Sequence, residues 1–348
     1  MSNVFTFHEI RSELDKHGIT RVDILNALES MPKSKVLLIG DFIIDLYTYC
    51  TAIGKTSKTP TLSVKKESTD RFWGGTGLFA KNLLGLGAEV SLVTMCGRDW
   101  GYDFIMEEHD PALKTHLFVD ENRPSTLKER FWVDGYKLLQ VDTLENDYVS
   151  PEIRKSIEAT ISKNVSACDF VLVSDFRHGL LSPELISFIK SLCKEKGKRL
   201  IVDTQVSSRS GNLEEYLGVD LICANETEAR YFLRDERSDT KVILDKLFEQ
   251  THVNRLILKL GLKGLIGYNK NKEFFQLPSI PVEVKDPIGS GDAFLSVAAL
   301  TCKPEIKLMA SIFAATCAGS LAVTKMGTVP NNLKELTEFV EAKLDEIF

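Results

Sequence analysis

Segments that alternate between strand and helix patterns restrict the folds open to this chain. The run "KVLLIGD", Lys35 to Asp41, is continuously apolar and ends in Gly-Asp, as buried strands of parallel sheets do. The runs "CDFVLVSD", "KRLIVDT", "VDLICAN" and "NRLILKLG" repeat this pattern, with helix-like stretches such as "SPELISFIKSLCKEKG" between them. This alternation predicts an α/β fold, a doubly wound and mostly parallel sheet with helices on both faces.

Two kinds of segment differ from this alternation. Residues 1–34 place apolar side chains at helical spacing in "FHEIRSELDKHG" and "RVDILNALESM", which predicts a helical N-terminal extension. We expect it to pack on the body, residues 35–348, or on a partner subunit. Residues 45–72 and 116–145 instead alternate Thr, Tyr, Val and charged side chains, which predicts antiparallel strands in a small β-sheet lid.

Composition narrows the range of partners. The 348 residues are 43% hydrophobic and 26% charged with a net charge of −6, which indicates a globular protein without an overall basic surface for nucleic acid. Seven widely spaced cysteines, an odd number without a Cys-x-x-Cys pair, indicate reduced core residues. The N-terminus lacks a secretory signal pattern, so a cytoplasmic location is expected. The uncharged run "LMASIFAATCAGSLAVT" is short and rich in small residues, which favours a buried helix over a membrane span.

The segment "KDPIGSGDAF", Lys285 to Phe294, concentrates the residues that carry chemistry. Gly289 and Gly291 lack a Cβ and precede an apolar helix pattern, so the backbone N–H groups of Gly289, Ser290 and Gly291 can form an anion hole at a helix N-terminus. Asp292 would repel a phosphate there unless it accepts a proton from an attacking hydroxyl. The alternative is a plain glycine turn with Asp292 as a helix cap.

Further polar residues follow the first strand. Asp41 and Asp45 stand at or just beyond its carboxyl end, where open α/β sheets bind ligands, and carboxylates there can accept hydrogen bonds from sugar hydroxyls. Turn formation is the alternative role for both. Asn82, on the next predicted helix, could face the same pocket.

These motifs together resemble those of the ribokinase-like (PfkB) sugar kinases. "DPIGSGD", Asp286 to Asp292, is similar to the C-terminal signature of that family, and "GGTGLFAKNLLGLG", with Gly74 and Gly75, is similar to its N-terminal glycine turn. Three further matches are "NETE" (Asn225 to Glu228), "KLGLKG" (Lys259 to Gly264, with Gly261) and "VTKMGTVP" (Val323 to Pro330, with Gly327). The five matches fall in the family's order across nearly the whole chain.

The resemblance implies a fold, a reaction and cofactors. It implies transfer of the γ-phosphate of ATP to a sugar hydroxyl, with Asp292 as the base and Glu228 holding Mg²⁺ through water. It places Asn225, Lys259, Gly261, Gly264, Asp286 and Gly327 around the nucleotide, and leaves open a monovalent cation such as K⁺ beside Asp286. The exposed edges of lid strands also suggest a homodimer through the lid.

Within the family the chain is most similar to the heptose 7-phosphate kinases of the ADP-heptose pathway, in "LIGDFIIDLYTY", "RPSTLKERFWVDGYKLLQVD" and "SDFRHGLLS". Such kinases act on the anomeric hydroxyl of a sugar that already carries a phosphate. This implies basic residues near the lid, for which Lys128, Arg130 and Arg98 are candidates. Solvated surface charge is the alternative for each.

Three positions depart from that subgroup. Leu46 stands where it usually has Arg, Leu78 where it has a sugar-contacting Asn, and Gln205 where it has a Lys near the nucleotide. An apolar side chain cannot replace a lost hydrogen-bond donor, so the acceptor sugar stays open. The alternatives are a kinase for another sugar or a nucleoside, and a non-catalytic sugar or nucleotide sensor.

Overall fold

A computed structural model describes residues 2–204 and 213–348 of the chain. The strands of these ranges are β1 (Lys35–Gly40), β2 (Phe42–Lys55), β3 (Leu62–Gly75), β4 (Glu89–Gly97), β5 (Lys114–Asp120), β6 (Leu127–Val133), β7 (Tyr136–Thr143), β8 (Phe170–Asp175), β9 (Arg199–Thr204), β10 (Leu221–Asn225), β11 (Arg255–Lys259), β12 (Leu265–Asn269) and β13 (Phe274–Leu277). The helices are α1 (Ser2–Lys16), α2 (Arg21–Glu29), α3 (Thr76–Gly85), α4 (Trp100–Glu107), α5 (Pro151–Asn164), α6 (Pro183–Lys196), α7 (Glu226–Leu233), α8 (Thr240–Thr251), α9 (Ser290–Leu300), α10 (Leu308–Ala322) and α11 (Leu333–Ile347).

The main sheet confirms the predicted doubly wound architecture. Its strand order is β13-β12-β11-β10-β9-β8-β1-β4-β5, and the pairs from β11 through to β5 are parallel, whereas β12 and β13 add an antiparallel edge. From β1 the chain adds β4 and β5 on one side and then returns to add β8 and the later strands on the other, so the strand order reverses between β1 and β8. Open α/β sheets bind ligands at such a reversal, outside the carboxyl ends of the strands.

Side chains of β1 show why the sheet carries helices on both faces. Val36 and Leu38 belong to a core with α1, α2, α3, α9, α10 and α11, whereas Leu37 and Ile39 belong to a core with α5, α6 and α8. Successive side chains of a strand point to opposite faces, so the apolar run of β1 fills both layers. The strand is therefore fixed from both sides, and its carboxyl end is a rigid base for a site.

The second sheet is the lid, and here the structure corrects two predictions. Its order is β3-β2-β6-β7, and β2 pairs with β6 in parallel, so the lid is mixed and not wholly antiparallel as predicted. The start of the predicted segment 116–145 belongs instead to β5, which pairs with β4 at the edge of the main sheet. An edge strand is only partly buried, so its alternation looks like that of a lid strand.

The N-terminal extension packs on the body of its own chain. Ile10 and Leu14 of α1 and Ile24 of α2 are fully buried in the core that contains α10 and α11. Arg21 is paired with Asp345 of α11 at 2.5 Å, and the Lys307 ammonium donates to the carbonyl of Gly18 at 3.0 Å. Helices α1 and α2 therefore pack against α10 and α11, in the helical layer on one face of the main sheet.

The uncharged run of the sequence is α10, which packs between neighbouring helices. Most of its side chains are buried, because it lies in the same core as α2, α9 and α11. Among the described helices, none has the length and apolar character needed to cross a membrane.

Candidate active site

The glycine motif opens α9, as predicted. Gly289 is the residue before the helix and has φ 81°, a left-handed conformation that favours glycine. A Cβ at this position would also lie only 2.8 Å from Leu78 Cδ2, so the backbone passes close to α3. The motif therefore brings the N-terminus of α9 against α3, the helix that follows the first glycine turn.

The amide groups at this helix N-terminus lie beside a lysine. The Ser290 N–H donates to the Pro287 carbonyl over a long 3.4 Å, and the first N–H groups of a helix have no partner inside it. A Cβ at Gly291 would lie 3.2 Å from Lys259 Nζ, so this ammonium at the end of β11 sits against the first turn of α9. Backbone donors and a cation thus face the same point.

Asp292 is buried in the first turn of α9, with only 8% of its surface exposed. Burial, and then the charge of Asp203, raise its pKa to about 8, against the opposing charges of Lys259 and Lys128. Asp45 of the lid also acts on this carboxyl group. A carboxyl group with a raised pKa and lysines nearby is suited to take up a proton near neutral pH.

Asp45 and Arg130 form a buried ion pair on the lid. The guanidinium of Arg130 on β6 donates to the Asp45 carboxylate on β2, and less than a tenth of either side chain is exposed. Gly74 lies directly beneath this carboxylate, since a Cβ there would overlap it. Lys128, two positions closer to the start of β6 and on the same face of that strand, contributes a positive charge near Asp45. The predicted substrate residues of the lid are therefore neighbours.

Asp286 ties the lid to the C-terminal loops. Its Oδ2 accepts from Tyr47 Oη of β2 at 2.6 Å and from the Gly327 N–H at 3.2 Å, while its Oδ1 accepts from the Ile288 N–H at 3.1 Å. The Phe72 ring covers Gly327, where a Cβ would meet Phe72 Cζ at 2.5 Å. Asp286 is fully buried, and we call this set of contacts the lid anchor.

Asp41 and Gly75 support the site through backbone contacts. The Asp41 carboxylate accepts from the N–H groups of Phe176, His178 and Leu180, each at 3.1 Å, and so fixes the loop after β8. Gly75 precedes α3 with φ 54°, and a Cβ there would lie 2.7 Å from the Asp41 carbonyl oxygen. These two residues hold the point where the lid leaves the main sheet.

Asn82 lies on the buried side of α3. Its Oδ1 accepts from the Asn331 N–H at 2.9 Å, and only 2% of its surface is exposed. The structure thus places the Asn82 amide against the loop after Gly327, where it holds the closing segment.

Asn225 and Glu228 form the capping box of α7. The Asn225 side chain accepts from the Glu228 N–H at 2.8 Å, while the two Glu228 oxygens accept from the backbone and side-chain N–H groups of Asn225 at 2.7 and 2.6 Å. Glu228 is 7% exposed, and its charge acts on Lys259.

A cavity of about 350 Å³ joins the glycine loops to α9. Lys259, Gly261 and Gly264 line it together with Ser290 and Gly291. The rest of its wall is largely apolar: Leu262, Phe294 and Val323 belong to the sequence motifs, whereas Leu265, Ile280, Pro281, Val282 and Val284 come from segments that the motifs did not mark.

Several site residues were not identified from the sequence. Tyr47 contacts Asp286 across 239 positions of chain, and Asp203 at the end of β9 lies 3.8 Å from Lys259 Nζ. The spacing of Asp45 and Tyr47 is the signal that could have found the tyrosine, because residues two apart on a strand share a face.

Three other positions that the sequence singled out have no contact with Asp292 or Lys259 given by the structure, or lie outside the described residues. Arg98 has a side chain 60% exposed and lies 3.9 Å from Glu121. Leu46 is half-buried on the lid, and Gln205 lies outside the described residues.

Comparison with known structures identifies the fold. The chain is similar to phosphofructokinase-2 from Escherichia coli in complex with substrates and products, with a TM-score of 0.71 at 16% identity over 89% of this chain and 99% of that one. It is also similar to Arabidopsis thaliana ribokinase complexed with ribose and ATP, with a TM-score of 0.70 at 18% identity over 89% and 99% of the two chains. The fold is thus ribokinase-like.

Sequence relatives share most of this chain. A "Bifunctional protein HldE" from Campylobacter jejuni (strain RM1221) is 27% identical over 313 residues, which are 89% of this chain and 65% of that protein. The protein of the same name from Desulfatibacillum aliphaticivorans is 28% identical over 87% of this chain and 62% of its own length. The chain therefore spans less than two thirds of the length of these relatives.

The family model for the pfkB family carbohydrate kinases matches residues 33–335, which include every motif of the site. The matched range covers both sheets and the helices from α3 to α10. The chain belongs to the pfkB family of carbohydrate kinases, phosphotransferases whose acceptor is a hydroxyl group.

Proposed function

We propose that this kinase transfers the γ-phosphate of ATP, with Mg²⁺, to the anomeric hydroxyl of a heptose 7-phosphate-like sugar, with Asp292 as general base. The observation that carries the proposal is the position of Asp292. Its buried carboxyl group stands in the first turn of α9, with Lys259 on the nucleotide side and Asp45 and Lys128 on the lid side. The similarity to heptose 7-phosphate kinases in sequence supports the acceptor class.

The residues of the chain account for each part of this reaction. Asp45 and Lys128 hold the acceptor sugar beneath the lid, so that its hydroxyl faces Asp292. Asp292 takes the hydroxyl proton as that oxygen bonds to the γ-phosphorus, and the bond from phosphorus to the bridging oxygen of ADP breaks. The amides of Gly289, Ser290 and Gly291 hold the charge of the transferred group. The lid keeps water out, which limits hydrolysis of ATP.

The chain offers a fitting site for the nucleotide and the metal. The apolar wall of the 350 Å³ cavity suits a purine, and its polar end at Lys259 and Gly291 suits phosphates. The buried carboxylate of Glu228, whose charge acts on Lys259 beside the cavity, can order water around Mg²⁺. Mg²⁺ when bound neutralises charge on the phosphates. A monovalent cation beside Asp286 remains part of this proposal.

Replacement of Asp292 by Asn tests the proposal. We expect turnover to fall by about three orders of magnitude or more, because the amide cannot take the proton, while the nucleotide still binds. ADP release should be measured with a panel of sugars, sugar phosphates and nucleosides. Near-normal turnover of Asp292→Asn would refute the base assignment. Activity confined to unphosphorylated sugars or nucleosides would refute the acceptor, and no activity on any acceptor would favour a sensor.

We also propose that two copies pair through the lid. Strand β7 is exposed along its length at one edge of the lid sheet, and Tyr136 and Leu139 are 71% and 53% exposed. Unpaired strand edges with apolar side chains are typical of surfaces that another chain covers.

A substitution on β7 distinguishes pairing through the lid from nonspecific association. We expect sedimentation velocity to show a dimer for the unaltered chain and a monomer for Leu139→Lys, because a buried charge disrupts an apolar interface. The control is Val22→Lys on α2, where the side chain is 63% exposed but far from the lid. A monomeric unaltered chain, or equal dissociation of both variants, would contradict the assignment.

A further inference from the structure

The ammonium of Lys259 lies at a helix N-terminus, where an anion could bind. This ammonium lies against the first turn of α9, only 3.2 Å from where a Cβ of Gly291 would stand. The N-terminus of a helix carries partial positive charge, and cations are unfavourable there. The same place is favourable for an anion, which the amides and the ammonium would hold from two sides.

Carboxylates keep this ammonium charged in the absence of such an anion. Asp203 Oδ1 lies 3.8 Å from Lys259 Nζ. Burial lowers the pKa of Lys259, but the negative charges around it, first those of Asp203 and Glu228, outweigh burial and raise it. Lys259 is therefore a cation at neutral pH, and its side chain is still 24% exposed toward the cavity.

The lining of the cavity suits a nucleotide whose phosphates lie near Lys259. Its wall is largely apolar, with Ile280, Val282 and Val284 among its residues, and Lys259, Ser290 and Gly291 supply polar groups. A purine bound against the apolar wall would direct its phosphate chain toward these polar residues. Asp292 follows Gly291 directly, so the last phosphate of the chain would stand between Lys259 and the proposed base.

We propose that Lys259 is a catalytic residue that binds the transferred phosphoryl group itself, and is not merely part of the wall of the nucleotide cavity. This assignment rests on the proposed function. The ammonium and the amide of Gly291 hold the oxygens of the phosphoryl group while Asp292 takes the acceptor proton and the bond to ADP breaks. A fixed cation stabilises charge that builds up during phosphoryl transfer at little cost in reorganisation.

The alternative role is structural, with Lys259 as the counter-ion of Asp203. The two roles differ in what they predict for nucleotide binding. A counter-ion would affect ADP and ATP alike, because both depend on the same cavity. A ligand of the transferred group would affect only a nucleotide that carries a third phosphate.

The test compares ADP with the non-hydrolysable ATP analogue AMP-PNP, both with Mg²⁺, by titration calorimetry on the full chain. For Lys259→Met we expect the Kd of AMP-PNP to rise about tenfold or more, that of ADP to change less than about threefold, and kcat to fall about 100-fold. The matched control is Lys270→Met, the same change on the exposed turn after β12. Equal weakening of both nucleotides, or of neither, would overturn the proposal.

Two further variants make the outcome unambiguous. Lys259→Arg keeps the charge and should restore most of the AMP-PNP affinity, and Lys259→Gln replaces the Met variant if that variant does not fold. Asp292→Asn should retain the preference for AMP-PNP while losing turnover. Full activity of Asp292→Asn would refute the base alone. A normal Lys259→Met beside an inactive Asp292→Asn would refute the role of Lys259 alone.

Discussion

The proposed role of Asp292 as a base requires an ionised carboxyl group, and the surroundings of Asp292 determine the pH at which it ionises. Burial, then the charges of Asp203 and Asp45, raise its pKa to about 8, against the opposing charges of Lys259 and Lys128. The raised value means that the carboxyl group is mostly protonated at pH 6 and ionised above pH 8. We expect kcat/KM for the acceptor sugar to rise with pH between 6 and 9, measured by ADP release at saturating ATP and Mg²⁺. A rate that is flat or falls over this range would contradict the prediction.

Single residues of the site differ in how far sequence alone could assign them. Asp292 and its glycines stand in one short segment, so local composition was enough to mark them. Tyr47 acts through Asp286, which lies 239 positions away, and only the fold brings the two together. Asn82 was expected to face the pocket, but the direction of a side chain on a helix buried on most sides depends on what packs against it.

The elements of the main sheet could be predicted because buried parallel strands are continuous apolar runs. The lid could not be predicted in the same detail, because alternation reveals a half-buried strand but not the direction of its partner. This is why the parallel pairing of β2 with β6 and the place of β5 in the main sheet were missed.

The lid anchor depends on the Tyr47 hydroxyl, which joins β2 to Asp286. For Tyr47→Phe we expect the KM for the acceptor sugar to rise about fivefold, with unfolding free energy lowered by only about 1 kcal/mol, because one hydrogen bond is lost while Ile288 and Gly327 still donate to Asp286. Steady-state kinetics and urea unfolding measure both quantities.

Tyr49→Phe provides the control for this prediction. It makes the same change two residues further along β2, where the hydroxyl interacts with Asp70 of the lid itself. An equal effect of the two substitutions on KM would show that the contact with Asp286 has no special part in holding the lid.

At the scale of the whole molecule, the N-terminal extension is an integral part of the fold. The sequence predicted its helices and left open whether they pack on the body or on a partner. The contacts of α1 and α2 with α10 and α11 answer that question. Amphipathic spacing alone reveals an apolar face but not what covers it.

Two apolar residues of the extension allow its contribution to stability to be measured. Leu14 is fully buried, whereas Val22 is 63% exposed. We expect Leu14→Ala to lower the free energy of unfolding by about 2 to 5 kcal/mol, because it leaves a cavity in the core, and Val22→Ala to change it by less than about 0.5 kcal/mol. Urea unfolding followed by circular dichroism measures both. A Leu14→Ala variant as stable as the unaltered chain would mean that α1 does not belong to the cooperative unit.

Strands β2 and β3 of the lid join the main body without a connecting loop. Asp41 alone separates β1 from β2, and β3 runs directly into α3 at Gly75. Because regular elements meet at these two junctions, a swing of the tip around residues 56–61 has to bend backbone beside the proposed acceptor site. Foreign sequence or a fluorescent reporter should therefore be tolerated at the tip, whereas even a one-residue insertion at either junction would shift the register of both sheets.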